Sequence, residues 1–156
     1  HEQLIVRPNN RTDNAIPSGT AMTIVLLLRL DAIYSEPFFG LVAERLLMHS
    51  AAMIPRWPQG FGLTLCGLEL FLNPVVQIVV AGNSAKLLNR TMTVMPLDAV
   101  VVYAGSEEEL ILWQNKTAIN GGETLYICIN NHCELPVHDD TTLQQQLTRL
   151  FRQEAP

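Results

Sequence analysis

The chain has 156 residues and a mass of 17.4 kDa, room for one ordinary domain or for two small pieces packed together. Hydrophobic residues make up 48% and charged residues 16%, which excludes disorder and leaves little charge to cover a large free surface, so a partner surface is expected. The net charge of −5, from ten basic and fifteen acidic residues with no Lys or Arg cluster, argues against nucleic acid, which needs a positive patch to displace counterions.

No apolar run approaches the roughly 20 residues that a membrane-spanning helix needs; Ile24-Val25-Leu26-Leu27-Leu28 is stopped by Arg29. No membrane span is expected. His1-Glu2-Gln3 has neither an initiator Met nor the basic start of a signal peptide, so the expectation is that the natural N-terminus lies elsewhere. Three cysteines, an odd number, do not make a disulfide framework. A cytoplasmic location is the expectation. Secretion stays open, because Asn10-Arg11-Thr12, Asn89-Arg90-Thr91 and Asn115-Lys116-Thr117 fit the glycosylation acceptor pattern.

In chain order, residues 1–16 are polar and turn-rich and read as a connecting segment. Pro17-Ser18-Gly19-Thr20 supplies a break and a hydroxyl N-cap for a helix over about 21–34, whose interior is apolar nearly all round and needs cover on more than one side. A second helix fits about 37–53. There Phe38, Val42, Leu46 and His49 recur at intervals of three or four, and Glu44 and Arg45 mark a polar side. A third fits about 60–72, with Cys66 read as a small buried thiol. It stops at Asn73-Pro74, because the residue before proline disfavours helical angles.

After Pro74 the period changes. Residues 75–81 (VVQIVVA) read as a buried strand that runs through Gly82-Asn83 into a helix over about 84–92. Residues 99–104 (AVVVYA) repeat the design, with Gly105-Ser106 capping a short helix whose first turn holds Glu107, Glu108 and Glu109. A third strand over 125–129 and a closing helix over 141–152, with Leu143, Leu147, Leu150 and Phe151 on one face, complete the pattern. The expected fold class is α/β, with a parallel or mixed three-stranded sheet. The expected division is 1–16 connecting, 17–73 helical and 74–156 α/β.

In an open α/β sheet, ligands sit at the carboxyl ends of strands, beside helix N-termini. Here Gly82, Asn83, Ser84, Gly105 and Ser106 mark a candidate strand-end site, although neither glycine-rich phosphate fingerprint is present and ordinary turn chemistry accounts for these residues too. The stretch YICINNHCELPVH carries the densest chemistry. Cys128 lies near a strand end and Cys133 five residues on, so a turn through Asn130-Asn131 could bring the sulfurs together. Structural thiols are the first reading of this pair. A disulfide or redox pair is second, and a metal site with His132 or His138 is third, since a lone four-residue gap makes at best half a zinc site. No cofactor and no resident metal are expected, and no catalytic triad can be singled out.

Two stretches carry a family resemblance. Asp13-Asn14-Ala15-Ile16-Pro17-Ser18-Gly19-Thr20, running into LLLRL, resembles the D-x-x-x-P-S-G-N-S segment and following helix of the thioredoxin-domain-containing, spermatogenesis-associated protein family. LYICINNHCELPVHDDTTLQQQL resembles that family's ending, with the C-x-x-x-x-C-x-x-P pattern at Cys128, Cys133 and Pro136, and QIVVAG resembles its recurrent strand. The likeness spans about residues 13–150, with Thr20 standing where the family usually has Asn. It implies a chain made of the last helices of an (α/α) toroid, similar to sugar epimerases and six-hairpin glycosidases, followed by a small α/β tail. It further implies that the thioredoxin-like domain and most of any carbohydrate-related or redox catalysis lie in parts not present here. Asp13 and Ser18 would then line the toroid mouth, although capping and turn formation account for them as well. The partners implied are the remainder of the same polypeptide, or a second copy through the apolar helices, and a small-molecule or sugar ligand. A stand-alone, non-catalytic dimerisation module is the alternative.

Overall fold

The computed structural model describes residues 11–73, 75–82, 85–93, 95, 98–104, 110–130 and 132–152, the side chains of 147 and 150–152 excepted. The chain is α/β and divides into two compact units. Unit 1 takes residues 1–31 and 36–73, and unit 2 takes 32–35 and 74–156.

Unit 1 is built on α1 (Gly19–Tyr34), α2 (Pro37–Ala51) and α3 (Gly62–Leu72). Ser18 starts α1: its Oγ accepts from the Ala21 N–H at 3.1 Å, satisfying one of the donors that a helix start leaves open. Pro37 opens α2, where its missing N–H costs nothing and its fixed φ already suits the helix. A 3-10 turn at Pro58–Phe61 leads into α3. The core of the unit is Ala21, Ile24, Leu28, Ala43, Leu47, Phe61 and Leu70. Gly67 lets α3 approach α1 closely, since a Cβ there would lie 2.7 Å from Ile24 Cγ2.

Two expectations for these helices are corrected. On α2 the buried face is Ala43, Leu47 and Ser50, whereas Phe38 and His49 point outward. The small residues at Ala43 and Ser50 permit close packing, and that outweighs the larger apolar residues one step away in the helical period. Cys66 is exposed and free, because the inward stripe of α3 runs through Thr64, Gly67 and Leu70 and leaves Cys66 to one side.

Unit 2 holds β1 (Val76–Ala81), α4 (Lys86–Met92), β2 (Val100–Tyr103), β3 (Thr124–Ile129), β4 (His132–Cys133) and α5 (Asp140–Arg152). The sheet order is β2-β1-β3-β4, parallel between β1 and β2 and antiparallel elsewhere. It is a mixed sheet of four strands rather than the expected three. The fourth is a two-residue strand, too short to leave a period in the sequence, made by a turn in which Asn130 takes φ 50°. Ile78 and Val80 of β1 pair with Ile127 and Leu125 of β3 and pack in one core with Leu87 and Leu88 of α4, Leu143 of α5, and Val137 from the segment ahead of α5. Val79 and Cys128, on the other face, are also fully buried. A strand covered on both sides reads as a continuous apolar run, which is why VVQIVVA lacks alternation. Leu147, Leu150 and Phe151, the rest of the expected apolar face of α5, lie outside the described side chains, and the expected cap at Gly105-Ser106 with its acidic turn lies outside the described residues.

Candidate functional site

Asp13 reaches across unit 1. Its Oδ1 accepts from Ser18 N at 2.8 Å, and its Oδ2 accepts from Leu63 N at 2.8 Å and Thr64 N at 3.1 Å, while its own N–H donates to Gly60 O at 2.7 Å. One buried carboxylate therefore caps the start of α3 and closes the turn ahead of α1. Burial alone would raise its pKa, but the N–H donors of Ser18, Thr64 and Leu63 together hold it below 3.8. Ser18, also buried, gives its hydroxyl to α1 as described. Both residues are turned inward as caps, with their polar atoms engaged by backbone.

The sulfurs of Cys128 and Cys133 are bonded to each other, so the first reading, two structural thiols, is corrected. The reason is register: Cys128 and Cys133 are direct partners across the β3–β4 ladder, and the left-handed Asn130 lets the turn between them close. A bonded pair offers no thiolate to a metal. Among the described residues, no group of three or more His, Cys, Asp or Glu could hold a metal ion. The pair is also asymmetric. Cys133 is exposed, whereas Cys128 is fully buried in an apolar strand, where a leaving thiolate is poorly stabilised. That environment slows exchange with a dithiol for as long as β4 stays in place.

Of the proposed strand-end residues, Gly82 alone is described; Asn83, Ser84, Gly105 and Ser106 lie outside the described residues. Gly82 turns the chain at the end of β1 with φ 97°, and a Cβ there would meet Gly122 O at 2.8 Å, so this position requires glycine. Beside it, at the carboxyl end of β1, opens a cavity of 460 Å³. Its walls come from the start of α4 (Lys86, Leu87), the segment before β3 (Ile119, Asn120, Gly122, Glu123) and the entry to α5 (His138, Asp139, Asp140).

The groups in this cavity are largely committed to one another. Glu123 is buried, and its two carboxylate oxygens accept from Leu87 N at 2.8 Å and Leu88 N at 3.1 Å, capping α4 from 36 residues away in sequence. Asp139 caps α5: its Oδ1 accepts from Thr142 N at 2.7 Å, and with the Thr142 hydroxyl and neighbouring His138 this lowers its pKa. Asp140 pairs with Arg90, joining α5 to α4. The Asp140 Oδ1 atom, by contrast, is buried with no hydrogen-bond donor among the described residues. His138 is half exposed, 3.6 Å from the Asp139 carboxylate. The arrangement has room for a small polar molecule that donates hydrogen bonds, with Leu87 and Ile119 among its apolar lining. Of these residues sequence reading named only His138, as a possible metal ligand, and missed the rest. Asp139-x-x-Thr142 is a readable cap signature, but nothing local shows that Glu123 reaches α4.

No described helix is long and apolar enough to cross a membrane. Comparison with family models, curated proteins and solved structures finds no match.

Proposed function

We propose that this chain is the C-terminal packing region of a thioredoxin-domain-containing protein of the spermatogenesis-associated kind, with carbohydrate-related or redox catalysis carried mainly by parts outside it. The observation behind this reading is a set of large apolar side chains left exposed on the helices of unit 1, on α2 beside the exposed Arg45. On α2, Phe38, Leu41 and Met48 are 66%, 55% and 70% exposed, on the side opposite Ala43, Leu47 and Ser50. Met22 and Leu26 do the same on α1, and Phe71 and Leu72 are exposed at the end of α3. Helices that are apolar on two sides belong between other helices, as in the paired rings of a toroid. The cover is the remainder of the same polypeptide in this reading, and a second copy in the alternative, a non-catalytic dimerisation module. The cavity of unit 2 is the place for a small-molecule or sugar ligand.

Reading the complete frame of the gene tests the proposal. A thioredoxin-like domain and further helical hairpins encoded upstream are the expected result. A frame that holds this region alone overturns it and leaves the dimerisation module.

A further inference from the structure

We infer that the Cys128–Cys133 disulfide is a redox-dependent latch on the strap formed by residues 132–137, and through that strap on the wall of the unit 2 cavity. β4 has no buried side chain of its own: His132 and Cys133 are both exposed, and between Cys133 and Val137 no residue is buried. The strap is held to β3 by the ladder pairs Cys128–Cys133 and Ile129–His132, by the buried Val137 at its far end, and by a small set of further ties. Backbone bonds run from Glu134 N to Ile127 O at 2.9 Å and in both directions between Leu125 and Val137 at 2.8 Å. On the other side Gln146 donates to Leu135 O, and Arg149 lies 3.5 Å from Glu134 in an exposed pair worth little in water. Among the described residues, the disulfide is therefore the one side-chain anchor that the first half of the strap has in the core, since its other end, Cys128, is fully buried.

The strap leads directly into His138, Asp139 and Asp140, which form one wall of the cavity. Loosening it frees that wall from Gly122 and Glu123, which line the same cavity at the foot of β3. The chemistry is a two-electron reduction by a dithiol. A thiolate of the dithiol attacks the exposed Cys133 Sγ and forms a mixed disulfide, and the Sγ of Cys128 leaves with the bond's electron pair and takes up a proton. The second thiol of the reductant then closes its own disulfide and releases Cys133 as a thiol. Because the Cys128 sulfur is shielded, it can depart only as β4 lifts, so reduction and opening occur together. The disulfide closes a loop with a sequence separation of 5, and chain entropy for so short a loop corresponds to roughly a 30-fold change in the local opening equilibrium.

Amide hydrogen exchange on the full chain, oxidised and then reduced with dithiothreitol, tests the latch. The expected result is exchange on the order of 30-fold faster at Glu134 and Val137 on reduction. The His138 ring resonances should shift, and Ile78, Val79 and Val80 in β1 should be unchanged. Cys133→Ser should reproduce the reduced pattern without reductant. Unchanged protection at Glu134 and Val137 overturns the latch, as does protection retained in Cys133→Ser. Equal loosening of β1 overturns it too, since the bond is then a staple of the whole unit. So does a count of two free thiols at Cys128 and Cys133 before reductant is added.

Discussion

The two units solve the burial problem to different degrees. In unit 2, Ile78, Val79, Val80, Leu125, Ile127 and Val137 are all essentially inaccessible, and β1 is covered on both faces. In unit 1 the helices bury one stripe each, and two of the three inward residues named on α2, Ala43 and Ser50, are small, while Phe38, Leu41 and Met48 face out. The lesson is that the smaller side chains set the helix approach and leave the larger ones exposed. Stability should therefore be concentrated in the sheet, and association in the helices.

The largest expected effect breaks the sheet. Ile78→Ala leaves a cavity between β1, β3 and the helices above them, and should cost about 4 kcal/mol in a urea titration. Next comes Asp13→Ala in unit 1. It removes the acceptor for three backbone N–H groups and should cost about 3 kcal/mol. The same residue gives the helical unit a pH dependence. The folded-state pKa of Asp13 is depressed below 3.8, so its contribution is complete above the unfolded value and is lost as pH falls through the folded one. Stability measured from pH 5 downward should fall less steeply in Asp13→Asn than in the parent chain.

A smaller loss follows from uncapping α4. Glu123→Ala strips the carboxylate from Leu87 N and Leu88 N and should cost about 1–2 kcal/mol, with the loss confined to unit 2 by hydrogen exchange. The smallest effect on stability belongs to the outward face of α2. Leu41→Gln combined with Met48→Gln should change the urea midpoint by an amount equivalent to less than about 0.5 kcal/mol, because both side chains are already in water. A large loss there would instead show that the face is covered within the chain and would erase the contrast between the units.

How much of this was legible in the sequence depended on whether the signal was local. Ser18 before α1, the β-branched runs of β1 and β2, and the period change at Pro74 are local, and each places its element within a few residues. The inward face of α2 was misread because periodicity weighs large apolar residues and not the small ones that let helices approach. Cys66 was misplaced for a related reason: composition makes a cysteine an interior residue, but the turn of the helix decides which way it points. The Cys128–Cys133 spacing raised a disulfide only as a second reading, because strand register decides it, and the two-residue β4 and the Glu123 cap, whose partners are 35 and 36 residues away, leave no local pattern. The cavity lies near the strand end that α/β geometry indicates, yet of the residues proposed for that site only Gly82 falls among those described.

The central claim is that the helical unit presents an apolar surface meant to be covered. Sedimentation equilibrium of the isolated chain, with binding of a hydrophobic dye followed in parallel, tests it most directly. Association or strong dye binding, reduced in the Leu41→Gln, Met48→Gln variant while the unfolding midpoint holds, is the expected result. A compact monomer that binds no dye across the concentration range, and is unaffected by the two substitutions, would contradict it.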